Sequence, residues 1–494
     1  MTERVLISRI PSGVPGLDDV LGGGIPEYSF NLLAGGPGCG KTTLAHQIMF
    51  ANATPERPAL YINVLGEPPI KMLRYQQQFT FYDVSKIGNA IRFIHLAQPT
   101  LDGGFAKVLD TIAREVDAAS PSLVVVDSFR AVLRRTLAEA TGEMDLQSFM
   151  QRLALLLTSR EATTFLLGEY LEQESDNNSV FTVADGILWL YQAVERNSIV
   201  RKLQVVKMRG QGQLPGLHTA RISDSGVSIF PRLPKPEQPL LAERPAPQLR
   251  LSTGVAALDE MMGGGVPVGY TLLIAGPSGS GKTVLSNQFL LEGGRRGECG
   301  IIAIFEKRPD EYLENTPYGE EFAQLMRDKR LEVLYLRPLD LSIDETLVAL
   351  RDAVLRTGAK RAVIDSLSGL ELALAPTFRE DFRESLYRML GALTALGVTV
   401  MATVELTDSY TDLRLSPQDV SFLTDAVIIQ RYVELEGSLK RVISVVKVRA
   451  SQHSKEIREY EITGEGLVVK ASSLKEYAGL LTGMALKRGT SPSG

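Results

Sequence analysis

The chain has 494 residues, enough for two to four cores of ordinary size. Apolar residues make up 44% and charged residues 22%, the balance of a folded, water-facing protein, so a disordered or fibrous chain is excluded. The net charge of −5 gives no overall basic field for nucleic acid, and the two cysteines, Cys39 and Cys299, argue against a disulfide framework and for a reducing cytoplasm.

The opening residues, MTERVLISRIPSG, lack the apolar stretch of a secretory leader. No uninterrupted apolar run approaches the roughly 18 residues of a membrane span. The expectation is a cytoplasmic protein with no membrane partner. Four histidines, His46, His95, His218 and His453, lack ligand spacing, so a zinc site is not expected.

Residues 12–50, SGVPGLDDVLGGGIPEYSFNLLAGGPGCGKTTLAHQIMF, form the first recognisable unit. Residues 253–291, TGVAALDEMMGGGVPVGYTLLIAGPSGSGKTVLSNQFLL, repeat it without a gap. An apolar β-rich run at 30–34 leads into GGPGCGKT, and its counterpart at 271–275 leads into GPSGSGKT. Both fit G-x-x-x-x-G-K-[ST] between a predicted strand and a predicted helix, the context this phosphate-binding motif needs. Gly35, Gly38 and Gly40 in the first copy, and Gly276, Gly279 and Gly281 in the second, let backbone N–H groups turn inward on phosphate oxygens. The helix that follows, with Thr43 in its first turn, adds the positive end of its dipole. Lys41 and Lys282 are expected on the β- and γ-phosphates of ATP, and Thr42 and Thr283 on Mg²⁺. No N-K-x-D-type guanine motif is present, which favours ATP over GTP.

The next predicted strands, 59–64 and 300–305, are followed by acids: Glu67 in YINVLGEPP and Glu306 in IIAIFEKRP. Either is placed to orient an attacking water, with Glu306 in the clearer register. Strands predicted at 123–126 and 362–364 end on Asp127 and Asp365, where a carboxylate lies beside the phosphate loop and can hold Mg²⁺. Further strands are predicted at 164–167 and 187–190, and at 398–403 and 426–429. Fully apolar strands separated by helical patterns imply a mostly parallel sheet flanked by helices on both faces. Lys207 and Arg209, and again Lys447 and Arg449, alternate toward one face of a strand-like run. They read as phosphate-sensing cations of the kind that ring ATPases take from a neighbouring subunit. Residues 231–250 contain six prolines and read as a semi-rigid linker. The expected organisation is therefore α/β, with two tandem P-loop NTPase domains at 1–230 and 251–471, the linker at 231–250 and a polar tail at 472–494.

These residues carry a resemblance. From about Ile10 to about Leu480 the chain resembles the KaiC family, double-domain RecA-type ATPases and autokinases of the circadian clock. The signatures are GVxxLDxxxGGG before each phosphate loop, IDSLSGL at 364–370 and VKVRASQHSKEIRE at 446–459. The resemblance implies two tandem RecA-like domains, a homohexamer of two stacked rings, and ATP between adjacent subunits. It puts Lys207, Arg209, Lys447 and Arg449 on the neighbour's γ-phosphate. It also implies autophosphorylation of the second ring in the segment before Asp425, and a KaiB-like regulator as a partner. Two departures stand out. Where the family carries paired glutamates, this chain has Leu65–Gly66 with Glu67 beyond, and Glu306–Lys307. Where the family carries adjacent serine and threonine, Ser421 is followed by Phe422, so a two-site clock cycle loses one of its sites. Ser416 and Thr424 stand further off as acceptors.

The reading is therefore an ATP-hydrolysing double-ring hexamer with serine/threonine autokinase activity and a clock- or stress-signalling role. Two rivals share the core. One is a nucleotide-gated scaffold without significant kinase activity. The other is a DNA recombinase or helicase, which would need basic and aromatic residues along a strand channel; Trp189 is the only tryptophan.

Overall fold

The computed structural model describes residues 7–63, 69–96, 104–128, 143–170, 179–195, 198–232, 249–314, 318–336, 341–374, 382–406, 423–480 and 486–487. The chain divides into two compact units, Met1–Leu233 and Pro234–Gly494. Most of the proline-rich linker and of the tail lies outside the described residues.

The first unit is built on nine strands: β1 (Phe30–Gly35), β2 (Ala59–Asn63), β3 (Ile91–His95), β4 (Leu123–Asp127), β5 (Thr163–Glu169), β6 (Gly186–Glu195), β7 (Ser198–Met208), β8 (His218–Ser223) and β9 (Gly226–Phe230). They form one sheet in the order β9-β8-β7-β6-β1-β5-β4-β2-β3. The run from β6 to β3 is parallel, and β7, β8 and β9 extend it antiparallel. The parallel strands are apolar on both faces because both faces are covered. Leu33, Tyr61, Val125 and Phe165 point into a core shared with Leu44, Ile48 and Met49 of α1 (Lys41–Asn52). Their neighbours Leu32, Leu60, Val124 and Leu166 point the other way, against α2 (Gly104–Ala119) and α3 (Glu143–Thr158). Residues Leu44–Phe50 are all buried, so α1 is a core helix rather than an amphipathic surface one.

The second unit repeats this design with β10 (Thr271–Gly276), β11 (Gly300–Ile304), β12 (Leu331–Tyr335), β13 (Arg361–Asp365), β14 (Thr399–Glu405), β15 (Ala426–Leu435), β16 (Ser438–Val448), β17 (Ile457–Thr463) and β18 (Gly466–Ser473). Their order is β12-β11-β13-β14-β10-β15-β16-β17-β18. The helix after its phosphate loop is α4 (Lys282–Arg295). Each unit is thus an α/β domain on a mostly parallel sheet flanked by helices. The antiparallel extension is the part that the apolar runs did not predict: its strands alternate buried and half-buried residues and carry charge, as in β17. No helix among the described residues is long and apolar enough to cross a membrane.

Candidate functional site

In each unit the strand at the centre of the sheet runs out into a glycine-rich loop and returns as a helix. Lys41 and Lys282 are the first residues of α1 and α4. The Lys41 Nζ donates to the Gly35 and Gly36 carbonyls at 2.9 and 2.7 Å. The Lys282 Nζ does the same to Gly276 and Pro277, both at 2.8 Å. The ammonium is thereby folded over its own loop. The residue before each lysine is a glycine with positive φ, 104° at Gly40 and 93° at Gly281, and neither helix has a side-chain cap. Its first-turn N–H donors are left for solvent or an anion. A Cβ at Gly40 would lie 2.7 Å from Ile222 Cδ1, and one at Gly281 2.7 Å from Ile462 Cδ1. The outer antiparallel strands therefore brace the loop from behind.

Behind the lysine, hydroxyl and carboxylate oxygens meet. The Thr42 hydroxyl donates to Asp127 Oδ2 at 2.9 Å, and Thr283 donates to Asp365 Oδ2 at 2.9 Å. Burial pushes the Asp127 carboxyl above its ordinary range, opposed by hydrogen bonds from Tyr61 and Thr42 and by the Lys41 charge. Both sites offer hard oxygen donors, which suit Mg²⁺. Among the described residues no group of three or more His, Cys, Asp or Glu could hold a metal alone. A Mg²⁺ carried on nucleotide phosphates needs no such cage. One carboxylate and one hydroxyl fit it.

In the second unit these groups open on a cleft of about 390 Å³, lined among others by Lys282, Thr283, Glu306, Lys307, Asp365 and Glu405. This lies in the size range of small-molecule pockets. Glu306 is exposed, beyond the end of β11. Its Oε1 accepts from Ser366 Oγ at 3.3 Å, and a Cβ at Gly369 would approach it to 2.7 Å. Burial holds the Lys282 ammonium below its ordinary pKa, against the opposing fields of Glu405, Asp365 and Glu306. Glu67 lies outside the described residues.

The two cation pairs are not part of this cluster. β7 pairs with β6 so that Lys207 faces Ile187, and the Arg209 amide donates to the Asp185 carbonyl. The Asp185 amide donates in turn to the Phe30 carbonyl, at the start of β1. Arg209 is therefore level with a residue five positions before Gly35, about 17 Å back along the strand. The Arg449, Asp425 and Thr271 backbones repeat this arrangement. Arg209 and Arg449 sit in the turn just past their strands, ion-paired to Asp185 and Asp425 at 3.1 Å, and remain 60% and 55% exposed. Lys207 Nζ donates to the Thr182 carbonyl at 3.2 Å and Lys447 Nζ to the Thr424 carbonyl at 2.6 Å. Partial burial and then the adjacent arginine lower both lysine pKa values. Neither β7 nor β16 is an edge strand: each is paired on both sides.

The sequence model of the KaiC ATPase family matches residues 10–234 and again residues 251–473. The chain belongs to the KaiC family of ATPases. It is 28% identical over 487 residues to the circadian clock oscillator protein KaiC of a Picosynechococcus species, covering 97% of this chain and 92% of that protein. It is 26% identical to the KaiC of Prochlorococcus marinus, covering 95% and 94%, and 27% identical to that of Rippkaea orientalis, covering 97% and 91%. KaiC-family membership accounts for the duplicated P-loop domains and implies that they bind ATP.

Within this KaiC-family chain, several groups near the phosphate loops were not singled out from sequence. The Tyr61 hydroxyl donates to Asp127 Oδ2 at 2.6 Å. The Tyr312 hydroxyl donates to Asn287 Oδ1 at 2.6 Å and reaches Asp365 Oδ2 at 3.5 Å, and Thr403 donates to Asp365 Oδ1 at 2.6 Å. Tyr61 is in β2, whereas Tyr312 is in a short helix after β11, Pro309–Glu314. Glu169 and Glu405 end β5 and β14, the strands paired directly with β1 and β10. The signal for these two was present: FLLGE and MATVE are apolar runs that stop on a carboxylate at the ligand-binding edge of the sheet. Nothing local could have linked the tyrosines to the aspartates. Ser421 and Ser416 lie outside the described residues, whereas Thr424 is fully buried, which removes it as an accessible phosphate acceptor in this conformation.

Proposed function

We propose that this KaiC-family ATPase hydrolyses ATP at the interfaces of a double-ring homohexamer and phosphorylates itself in the second domain. The observation that carries the proposal is the separation between each phosphate loop and the cation pair of its own domain. About 17 Å of strand lies between Gly35 and the level of Arg209, and likewise between Gly276 and the level of Arg449. A cation pair so far from its own loop can complete a site only on another copy. A repeated head-to-tail contact of that kind gives a ring where its rotation closes, and the family resemblance supplies the ring of six.

In this reading the domains are 1–230 and 251–471, joined by 231–250 and followed by the tail 472–494. The turned-in N–H groups of 35–42 and 276–283 cradle the phosphates of ATP, and Lys41 and Lys282 leave their loop carbonyls for the β- and γ-oxygens. Thr42 with Asp127, and Thr283 with Asp365, would hold Mg²⁺, which neutralises charge on the phosphate oxygens when bound. Lys207, Arg209, Lys447 and Arg449 stabilise charge on the neighbour's transferring phosphoryl group. Glu306 orients water. Phosphoryl transfer depends mainly on positioning, so a serine hydroxyl brought in line replaces water as acceptor, and Ser421 is the residue assigned to that part. A clock role is supported by the names of the relatives, circadian clock oscillator proteins, and a stress-signalling role or a KaiB-like regulator rests on the family resemblance alone.

Light scattering with and without ATP and Mg²⁺, followed by intact-mass measurement, tests the reading. Six copies with nucleotide and one added phosphate, absent from Ser421→Ala, are expected. A chain that stays a single copy with ATP and Mg²⁺ overturns the ring, and label persisting on Ser421→Ala overturns the acceptor.

A further inference from the structure

The first domain poses a problem. The family's paired acids are replaced by Leu65–Gly66, yet the loop, lysine, threonine and aspartate are all in place. Hydrolysis still requires a base for the attacking water. Four neighbouring strands of the parallel run show where one stands. Crossing from the phosphate-loop strand β1, the first neighbour is β5, then β4, then β2. With about 4.8 Å per strand, the end of β5 is one step from Gly35, Asp127 is two and the residues after β2 are three. β5 ends on Glu169, directly paired with Gly35. Its other six residues are buried, and Glu169 alone is exposed. The Glu169 charge is felt at Asp127, where it raises the carboxyl pKa. The second unit reproduces the arrangement, with Glu405 paired with Gly276 and lining the cleft beside Lys282. An exposed carboxylate therefore stands at the same register in both halves, one strand from the phosphate loop at the carboxyl end of the sheet.

We propose that Glu169 is the general base of the first domain, and that Glu405 holds the same station in the second alongside Glu306. The inference rests on the ATP hydrolysis proposed above. One water proton passes to a Glu169 carboxylate oxygen as the water oxygen bonds to the γ-phosphorus. The bond between that phosphorus and the β–γ bridging oxygen breaks, and its electron pair stays on the ADP β-phosphate. Glu169 then releases the proton to solvent.

The test uses the full chain carrying Lys282→Ala, which silences the second domain, and follows single-turnover hydrolysis of bound ATP. Adding Glu169→Gln is expected to slow turnover at least ~100-fold, a larger loss than Glu67→Gln causes, with ATP binding and melting temperature retained. Glu169→Asp, which keeps the acid, is expected to recover part of the rate and to move the acid limb of the pH–rate profile. A Glu169→Gln chain that turns over at the parent rate, or a larger loss with Glu67→Gln, overturns the inference and leaves the hydrolysis reading standing. A Lys282→Ala parent that binds ATP without hydrolysing it overturns hydrolysis in the first domain and the inference with it, and the second domain is then read from the unmutated chain.

Discussion

His46 shows how tightly the first site is built. It lies one turn after Thr42 on α1, its Nδ1 is 2.8 Å from the Thr42 carbonyl, and its ring stacks on Tyr61 with centroids 4.6 Å apart. Tyr61 in turn holds Asp127. Full burial pushes the His46 imidazole down to about 4 from an ordinary 6.5, so the fold keeps it neutral. The unfolded chain binds a proton there that the native chain does not. Stability from this residue is present above about pH 6.5 and is lost as pH falls toward 4. Between pH 7 and 5 the first unit is expected to lose about 2 kcal/mol on this account. His46→Asn, the residue found at the matching place as Asn287, should flatten the dependence in urea unfolding followed across that range. An unchanged slope would mean that the imidazole is protonated in place.

At the scale of elements, the strand, loop and helix around each lysine are fixed from two sides. Gly281 needs positive φ and has Ile462 at its back. Gly281→Ala is expected to cost about 1–3 kcal/mol, read as a lower melting temperature of the second unit. Adding Ile462→Ala should return only the contact part of that loss, because the backbone strain stays. Full recovery would show that φ at this residue is immaterial. The same elements show how much was legible beforehand. The parallel strands announced themselves as apolar runs, since a strand buried on both faces has few polar residues to blur it. Their final residues were read unevenly. Asp127 was placed at the end of its strand, whereas β5 continues through Glu169 and β14 through Glu405, beyond the apolar runs as read. The phosphate loops were legible because their spacing is local. The Tyr61 and Tyr312 contacts were not, since they join elements far apart in sequence.

For the whole molecule, the proposed ring, in which each site borrows its cations, would make every copy both lender and borrower. Lys282→Ala and Arg449→Ala should each abolish second-domain turnover alone. When the two are mixed and reassembled, roughly one interface in four joins an intact loop to an intact arginine in a heterologous contact, and activity should return in proportion. A mixture no more active than its separate components would place the arginine outside the neighbour's site. The paired tyrosines carry a different lesson. Both halves share one scaffold, yet one reaches its aspartate with a phenol from β2 and the other with a phenol from the helix after β11. The two halves meet the same requirement from different elements. Grafting β11 in place of β2 would therefore strip Asp127 of its phenol unless the segment that follows travelled with it, so the halves of this duplication are no longer interchangeable parts.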